Sequence, residues 1–512
     1  MKRIFVLTAA VLLAAVSLFA QNPYLPLWEY IPDGEPYVFE DPDRPGQYRV
    51  YIYGSHDSLV DQYCGREQVV WSAPVGNLLA WRYDGVIFTS VRGADGAFLN
   101  EGGAGDVLFA PDVALKVGPD GRKTYYLYPN VQAGGRNALV AKSDRPDGPF
   151  EACNWSPGNP AAVDGVLGFD PAVFVDDDGR VYGYWGFGRS YAAELDPETM
   201  ATVKEGTQVV EDMVSGHTQE GIFRFFEASS MRKIADKYVF IYSRVTADGE
   251  FGLPSVNYTL AYAYSDHPLG PFTYGGTLID GRARETLSSG QTVVTACPYG
   301  NTHGSLQEVG GRWWVFYHRQ TGTDEYSRQA MVAPVTVSVE PGAGGKVTIS
   351  EGEYNSEGFR TEGLEPLAWT PAGLACYLTH PEPVVQDYPH FIFPGPYVQA
   401  SRHGDSFPVV NNTDGSVVGY KYFRFSREET LLRVRLSPGG VDGVVEIRVG
   451  APDGRRVGRL VLSKEAPEEM TEFRVPLSGM TRMAGKQPLY FRFSSPEKGK
   501  SIATLEGFRF CL

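Results

Sequence analysis

Five acidic or polar residues each precede an aromatic, strand-like segment by nearly the same distance along this chain. These residues are Asp33, Asp112, Asp170, Glu227 and His303. The aromatic segments end 20, 16, 15, 15 and 14 residues later, and those ends recur at intervals of 75, 57, 57 and 75 residues. A repeat of this size built from short β-rich units is typical of a β-propeller or a repeat array. Because the first strand of each propeller blade lines the central channel, the repeat predicts one carboxylate or imidazole per blade facing a shared axis.

Three of these residues, Asp33, Asp170 and Glu227, lie among apolar residues, Pro or Gly, where a carboxylate is costly to bury unless it is paired or solvated. One Asp beside Pro or Gly indicates a turn, but three at a matched phase indicate convergence. Glycoside hydrolysis needs one acid to protonate the leaving oxygen and one carboxylate to activate water or to attack. A third carboxylate nearby raises the pKa of that acid. The alternative is a site for a hard cation such as Ca²⁺, although the ligands of such sites usually cluster in one loop.

The other two members of the repeat have less specific surroundings. Asp112, in the segment Ala-Pro-Asp-Val, either hydrogen-bonds sugar hydroxyls as a substrate-binding residue or has a structural role. His303, in Thr-His-Gly-Ser, either bridges carboxylates, binds a central cation or its water shell, or is a structural histidine.

The elements that must position these residues are short strands and turns, which dominate residues 21–370. Five repeats predict a five-bladed β-propeller. A β-sandwich is the competing fold, but it would not place one acid per unit at a constant phase. A second repeat, Ser143–Phe150 and Ser265–Phe272, is spaced by 122 residues and predicts equivalent outer turns two blades apart.

The pattern changes between residues 350 and 375. Residues 351–371 are rich in Gly, Glu, Pro and Ser and indicate a closing strand and linker. Residues 375–512 follow with strands that alternate apolar and polar side chains, as half-buried antiparallel strands do. This predicts a second all-β domain, a jelly-roll β-sandwich.

The composition restricts the location and the partners of the protein. Residues 1–20 have a basic start, an apolar run and a small-residue exit at Ala20, which predicts a signal peptide and a periplasmic or secreted protein. No later stretch is long enough for a membrane span. The net charge of −15 argues against a nucleic-acid partner. The five cysteines have no zinc-like spacing and are either free thiols or members of one or two disulfides.

Taken in order, these motifs make the chain resemble glycoside hydrolase family 43, whose members are five-bladed propellers. The resemblance covers residues 22–320, and the closing strands extend to about residue 370. It rests on Pro32-Asp33-Gly34, Ala110-Pro111-Asp112, the two Gly-Pro-Phe turns that end at Phe150 and Phe272, the run from Asp170 to Gly179, Glu227 before a Tyr-rich hairpin, and His303-Gly304-Ser305 before an aromatic strand. The related fructan hydrolases that act with retention are the nearest rivals, but their first-blade Asn-Asp-Pro-Asn-Gly signature is absent here.

The resemblance implies an inverting, single-displacement mechanism. Asp33 matches the general base, Glu227 matches the general acid, and Asp170 matches the carboxylate that raises the pKa of the acid and orients it. Where the family often has Glu-Gly-Pro at the acid, this chain has Glu227-Ala228-Ser229, which weakens any inference about the substrate.

The expected activity is exo-acting removal of terminal α-L-arabinofuranose from plant polysaccharide side chains. β-Xylosidase and galactan-directed activities stay open, as does a catalytically inactive, glycan-binding propeller. No cofactor is required, and a structural Ca²⁺ is left open. The C-terminal domain resembles a family 6 carbohydrate-binding module, through segments such as Asp414–Phe423, and either binds sugar or packs against the propeller.

Overall fold

The computed structural model describes residues 21–512 except 60, 93–95, 98–104, 134, 157–158, 160–162, 288, 402–405 and 483–484. As predicted, the protein is all-β. The helices of the described residues are three short 3₁₀ segments: Glu250–Gly252, Ala372–Leu374 and Met480–Arg482. The predicted signal peptide, residues 1–20, lies outside the described residues. Across the described ranges, no helix combines the length and the apolar character needed to cross a bilayer.

Five antiparallel sheets follow one another between residues 35 and 335, and the strands of each are neighbours in chain order. The first holds β1 (Glu35–Glu40), β2 (Tyr48–Tyr53), β3 (Glu67–Pro74) and β4 (Arg82–Thr89), and a small pair, β5 (Val91–Arg92) and β6 (Gly96–Ala97), follows it. The second holds β7 (Asp112–Val117), β8 (Lys123–Tyr128), β9 (Ala141–Ser143) and β10 (Glu151–Ala152). The third holds β11 (Ala172–Val175), β12 (Val181–Trp185), β13 (Tyr191–Leu195) and β14 (Val210–Glu211).

The fourth sheet holds β15 (Phe225–Ile234), β16 (Lys237–Arg244), β17 (Thr259–Ser265) and β18 (Thr273–Asp280). After the pair β19 (Arg284–Thr286) and β20 (Thr292–Val294), the fifth sheet holds β21 (Ser305–Val309), β22 (Arg312–Gln320) and β23 (Arg328–Val335). A further pair, β24 (Val337–Val339) and β25 (Val347–Ile349), follows.

Each predicted aromatic segment is the second strand of one sheet: β2, β8, β12, β16 and β22. The aromatic residues that end these segments are all buried. The polar residue of each repeat lies within two residues of the start of the first strand. The turn between β1 and β2 spans residues 41–47, against 118–122 and 176–180 in the next two sheets, which accounts for part of the longer first spacing. The rest arises because Asp112 is the first residue of its strand and because β11 and β12 are shorter than β1 and β2.

The first strands of the five sheets form a closed series of neighbours. Direct contacts link β7 to β11, β11 to β15, and β21 to β1. The hydrogen bonds that link neighbours are Tyr37 Oη to Asp112 Oδ1 (2.6 Å), Val173 N to Asp112 Oδ2 (2.6 Å) and Ser230 Oγ with Ser305 Oγ (2.7 Å). The backbones of Gly34 and Gly304 form a parallel bridge, so the fifth sheet returns to the first. Residues far apart in sequence therefore meet where these strands begin.

The second repeat is confirmed as a pair of equivalent turns. Ser143–Phe150 joins the third and fourth strands of the second sheet, and Ser265–Phe272 joins the third and fourth strands of the fourth sheet. The two turns therefore occupy the same position two sheets apart, as the spacing predicts.

Two larger antiparallel sheets form the C-terminal part of the chain. The strands of the first, in spatial order, are β30 (Tyr397–Val398), β31 (Val409–Asn412), β38 (Ala503–Cys511), β33 (Leu431–Pro438) and β36 (Thr471–Pro476), with β26 (Thr370–Pro371) paired to β38. The strands of the second are β27 (Tyr377–Thr379), β32 (Val417–Phe425), β37 (Gly485–Ser494), β34 (Gly443–Val449) and β35 (Arg455–Leu462). Buried side chains of both sheets share one apolar cluster that includes Leu432, Phe491 and Phe508.

A small hairpin stands apart from both of these sheets. It is formed by β28 (Val385–Asp387) and β29 (His390–Ile392). Backbone bonds attach it to the loop after β22: Phe391 N donates to Thr323 O at 2.7 Å, and Glu325 N donates to Pro389 O at 3.2 Å. The hairpin thus joins the C-terminal part of the chain to the end of the ring where the first strands begin.

Candidate active site

A cavity of 430 Å³ lies where residues from several of the five sheets meet. Four of the five predicted site residues line it: Asp33, Asp170, Glu227 and His303. The loops after the strands and the C-terminal hairpin complete its wall with aromatic and polar side chains, among them Tyr63, Phe187, Asn257, Glu325, Arg328 and Tyr388.

Asp33 is held as a buried, ionised carboxylate. Its backbone has a left-handed φ of 60°, a region that non-glycine residues rarely adopt and that is often found at functional sites. Ser55 Oγ donates to Asp33 Oδ2 at 2.5 Å, and Arg328 Nη1 donates to Oδ1 at 3.1 Å. Burial is the largest influence and acts to raise the pKa of Asp33, but Arg328, acting with His318, His303 and the Ser55 hydroxyl, holds that pKa below its usual value. This residue is therefore fit to accept a proton.

His318 lies beside Asp33 as a neutral ring. The backbone N–H of Asp33 donates to His318 Nδ1 at 3.2 Å, which leaves the ring proton on Nε2, opposite the Asn301 carbonyl oxygen at 2.9 Å. Burial lowers the pKa of His318 to about 3, so the 3.4 Å approach of Nδ1 to Asp33 Oδ1 is not an ion pair at neutral pH. The cationic neighbour of Asp33 on this side is Arg328.

A second carboxylate orients Arg328. Asp57 accepts from Arg328 Nε at 2.9 Å and from Nη2 at 2.8 Å, and both side chains are almost fully buried. Such a two-point pairing fixes the plane of a guanidinium, and this leaves Nη1 for Asp33 and for Asn301 Oδ1, at 3.3 Å. The sequence pattern did not identify Asp57 or Arg328 as functional.

Glu227 projects from an irregular part of β15. The pairing of β15 with β16 shifts register on both sides of Glu227, and Ala228 has a φ of 66°. Bulges of this kind re-aim a side chain. Burial and then the Asp170 carboxylate raise the pKa of Glu227 well above its usual value. This side chain is therefore protonated at a pH where Asp33 is ionised.

Asp170 connects the other groups. It has a left-handed φ of 47°. Its Oδ1 accepts from Asn130 Nδ2 at 2.8 Å, and its Oδ2 accepts from the backbone N–H of Ala228 at 3.2 Å. Burial is the largest influence that raises the pKa of Asp170 to about 6, against the opposing charge of His303. Asp170 thus holds the backbone beside Glu227 and sets its electrostatic surroundings.

His303 lies between two carboxylates. Its Nε2 is 3.7 Å from Glu35 Oε1, and its Nδ1 is 3.6 Å from Asp170 Oδ2. Burial acts to lower the pKa of His303, but Glu35, Asp170 and Asp33 outweigh it and raise that pKa to about 9. The ring is therefore an imidazolium that bridges carboxylates, one of the roles the sequence left open.

A structural Ca²⁺ near His303 stays a prediction. Ca²⁺ takes six to eight oxygen ligands, whereas His303 offers ring nitrogens, so it could reach such an ion only through the water shell of the ion. Glu35 Oε2 accepts from Arg232 Nη2 at 2.7 Å. Among the described residues, no three or more His, Cys, Asp or Glu side chains are grouped so that they could hold a metal ion.

Asp112 is not one of the residues that line the cavity. Its two oxygens are occupied by Tyr37 Oη and by the backbone N–H of Val173, both at 2.6 Å. Its side chain is 1% exposed, and burial raises its pKa to about 7. These contacts join three first strands of the ring, which corresponds to the structural alternative of the sequence analysis and not to a contact with sugar hydroxyls.

The sequence repeat did not predict two features of the cavity wall. Phe169, Phe187 and Phe226 form a row of rings with successive centroids 4.9 Å apart. On the side of the C-terminal hairpin, Glu325 is buried and accepts a hydrogen bond from Tyr63 Oη, and burial raises its pKa to about 7. An aromatic row and a further carboxyl group thus surround the three acids.

The arrangement suits acid–base hydrolysis, because one cavity holds an ionised carboxylate and a protonated one. The sequence profile of Glycosyl hydrolases family 43 matches residues 39–340, more than half of the chain. The chain belongs to glycoside hydrolase family 43. The matched segment of this family 43 chain contains Asp170, Glu227 and His303 and begins after Asp33.

Relatives of this family 43 glycosidase include proteins that align along nearly its whole length. The "Xylosidase/arabinosidase" of Thermoclostridium stercorarium is 35% identical, over 96% of this chain and 98% of that protein. The "Arabinoxylan arabinofuranohydrolase" of Bacillus subtilis (strain 168) is 25% identical, over 91% of this chain and 86% of that protein. The crystal structure of a family 43 arabinoxylan arabinofuranohydrolase from Bacillus subtilis in complex with cellotetraose aligns at 21% identity, a TM-score of 0.44, and 94% and 96% of the two chains.

Proposed function

We propose that this protein is an exported, exo-acting glycosidase that removes terminal α-L-arabinofuranose from plant polysaccharide side chains with inversion. The observation that carries the proposal is the opposite displacement of two pKa values in one cavity. The pKa of Asp33 lies below its usual value, and that of Glu227 lies well above. The names of the full-length relatives support an arabinoside or xyloside substrate.

In this mechanism Glu227 gives its proton to the glycosidic oxygen as the bond to the anomeric carbon breaks. Asp33 accepts a proton from the water that attacks the same carbon from the opposite face. The products are the free sugar with inverted configuration and the shortened glycan. Exchange with solvent then returns a proton to Glu227 and removes one from Asp33.

Three neighbours prepare these two groups. Asp170 disfavours the anionic form of Glu227 and holds the adjacent backbone through Ala228 N. Arg328 and Ser55 stabilise the anionic form of Asp33. All of these contacts exist before substrate binds, so little reorganisation is needed during the reaction.

β-Xylosidase activity is the second candidate, because the Thermoclostridium stercorarium relative is named for both xylosidase and arabinosidase. Galactan-directed activity stays the third. A glycan-binding protein without activity is disfavoured, because its cavity would not need the opposite pKa displacements of Asp33 and Glu227.

Several structural assignments belong to the same proposal. The five sheets are the blades of a propeller spanning residues 21–370, an assignment supported by the closed series of first strands. Residues 375–512 form a β-sandwich like a carbohydrate-binding module. A packing role for this unit is supported by Arg319, whose Nη1 donates to Ala375 O at 2.7 Å. Export follows cleavage near Ala20.

The test is a panel of 4-nitrophenyl glycosides of arabinofuranose, xylopyranose and galactopyranose, assayed with wild type and with Asp33→Asn and Glu227→Gln. Wild type should hydrolyse the arabinofuranoside best. In each variant kcat should fall about 10²–10⁴-fold, the usual contribution of one general acid or base. Full activity in either variant would refute the assignment, and preference for the xyloside would select the second candidate.

A further inference from the structure

The hairpin Val385–Ile392 brings part of the C-terminal region to the catalytic cavity. Its turn residue Tyr388 and its strand residue Gln386 both line that cavity. The backbone bonds to Pro389 O and from Phe391 N attach both arms of the hairpin to the loop after β22. The hairpin is therefore a fixed part of the cavity wall.

The depth of the cavity separates two groups of lining residues. Asp33 is 5% exposed and Glu227 is 8% exposed, whereas Phe187 is 56% and Tyr388 is 68% exposed. In an exo-acting enzyme the terminal sugar lies beside the buried acids, and the rest of the glycan leaves through the mouth. The exposed aromatic residues are therefore on the path of the leaving group.

The chemistry of the rim suits a sugar ring. An aromatic face is apolar and packs against the C–H face of a pyranose, while the ring hydroxyls stay in water. Phe187 packs on Phe226, the chain neighbour of the proton donor. Tyr388 lines the same cavity from the C-terminal hairpin. Phe187 is thus near the donor, and both aromatic residues lie at the exposed mouth of the cavity, through which the leaving glycan extends.

We propose that Tyr388, together with Phe187, binds the pyranose that carries the scissile bond on the leaving side, a sugar of the polysaccharide main chain. The C-terminal region then contributes to the specificity of the catalytic cavity directly. The inference rests on the proposed function for the identity of the sugars, and it adds a leaving-group subsite to it.

The test compares two substrates that share the cleaved sugar and differ in the leaving group: methyl α-L-arabinofuranoside and α-L-arabinofuranosyl-xylotriose. In Tyr388→Ala, the ratio of kcat/KM for the xylotrioside to kcat/KM for the methyl glycoside should fall about fivefold to tenfold, the effect of one lost ring contact. Tyr388→Phe should recover most of the ratio because it keeps the ring. The matched control is Tyr48→Ala, since Tyr48 is 50% exposed on β2 and does not line the cavity. It should keep the wild-type ratio.

A binding measurement separates failure of this inference from failure of the proposed function. The Kd of xylotriose, measured by calorimetry, should rise by a similar factor in Tyr388→Ala whether or not the protein cleaves arabinosides. Wild type that cleaves neither substrate would refute the proposed function, and the Kd would then decide the inference. An unchanged ratio with an unchanged Kd, or an equal loss on both substrates, would overturn the leaving-group subsite.

Discussion

Replacing Ser55 with Ala should move one limb of the pH profile and leave the other in place. Ser55 is fully buried, and its hydroxyl donates to Asp33 Oδ2 at 2.5 Å. The bond stabilises the carboxylate form of Asp33 more than the protonated form, so its loss raises the pKa of Asp33. Because the base must be ionised to work, the acidic limb of kcat/KM moves to higher pH.

The magnitude follows from the charge on the acceptor. A hydrogen bond to a charged group contributes about 1.5–3 kcal/mol, and one pKa unit corresponds to about 1.4 kcal/mol. The protonated carboxyl group keeps part of the bond, so the lower end of the range applies, and the acidic limb should rise by about 1 pH unit. Below that limb kcat/KM should fall about tenfold, and at neutral pH it should change little.

The assay is kcat/KM from about pH 2.5 to 9 on 4-nitrophenyl α-L-arabinofuranoside, which reports the ionisations of the free enzyme. Ser72→Ala is the matched control, because Ser72 is also fully buried on the first sheet and donates to a carboxylate, Asp84, but does not line the cavity. An acidic limb that stays in place in Ser55→Ala would refute Asp33 as the base. An equal shift in Ser72→Ala would show that the effect is not local.

Two further substitutions test the groups around the acids. Burial and then the Asp170 charge raise the pKa of Glu227. Asp170→Asn removes the second of these influences, so the basic limb of kcat/KM should fall by about 1–2 pH units, and a basic limb at the wild-type pH would count against that role. Asp57→Asn breaks the buried pair with Arg328, and the free energy of unfolding should fall by about 3–5 kcal/mol. Urea unfolding followed by tryptophan fluorescence measures this change, and an unaltered midpoint would contradict it.

The sequence repeat predicted those site residues that lie at the start of the first strand of a sheet. Asp170, Glu227 and His303 lie near the starts of first strands, and the aromatic segments are second strands of the same sheets. Each sheet begins with the same type of hairpin. The number of residues between the polar residue and the end of the aromatic strand therefore indicates where the polar residue lies in the sheet. Asp112 shows the limit of this reasoning, since it shares the phase but its carboxylate is used between strands.

The site residues that the sequence did not predict are brought together by contacts between distant parts of the chain. Asp57 and Arg328 are 271 residues apart and meet because the fifth sheet returns to the first. Neither residue has a periodic signal. Tyr388 lies in a hairpin outside the repeat, and only the folded chain shows that it lines the catalytic cavity. Glu35 could have been predicted more easily, because it follows the repeat residue Asp33 by two positions.

The most direct test of the central claim is the configuration of the first product. Proton NMR of wild-type enzyme acting on 4-nitrophenyl α-L-arabinofuranoside should show β-arabinofuranose first, with the α anomer growing in later by mutarotation. That result follows from water attack assisted by Asp33 opposite a leaving group protonated by Glu227. Initial release of the α anomer would mean retention through a covalent intermediate and would contradict the assigned roles.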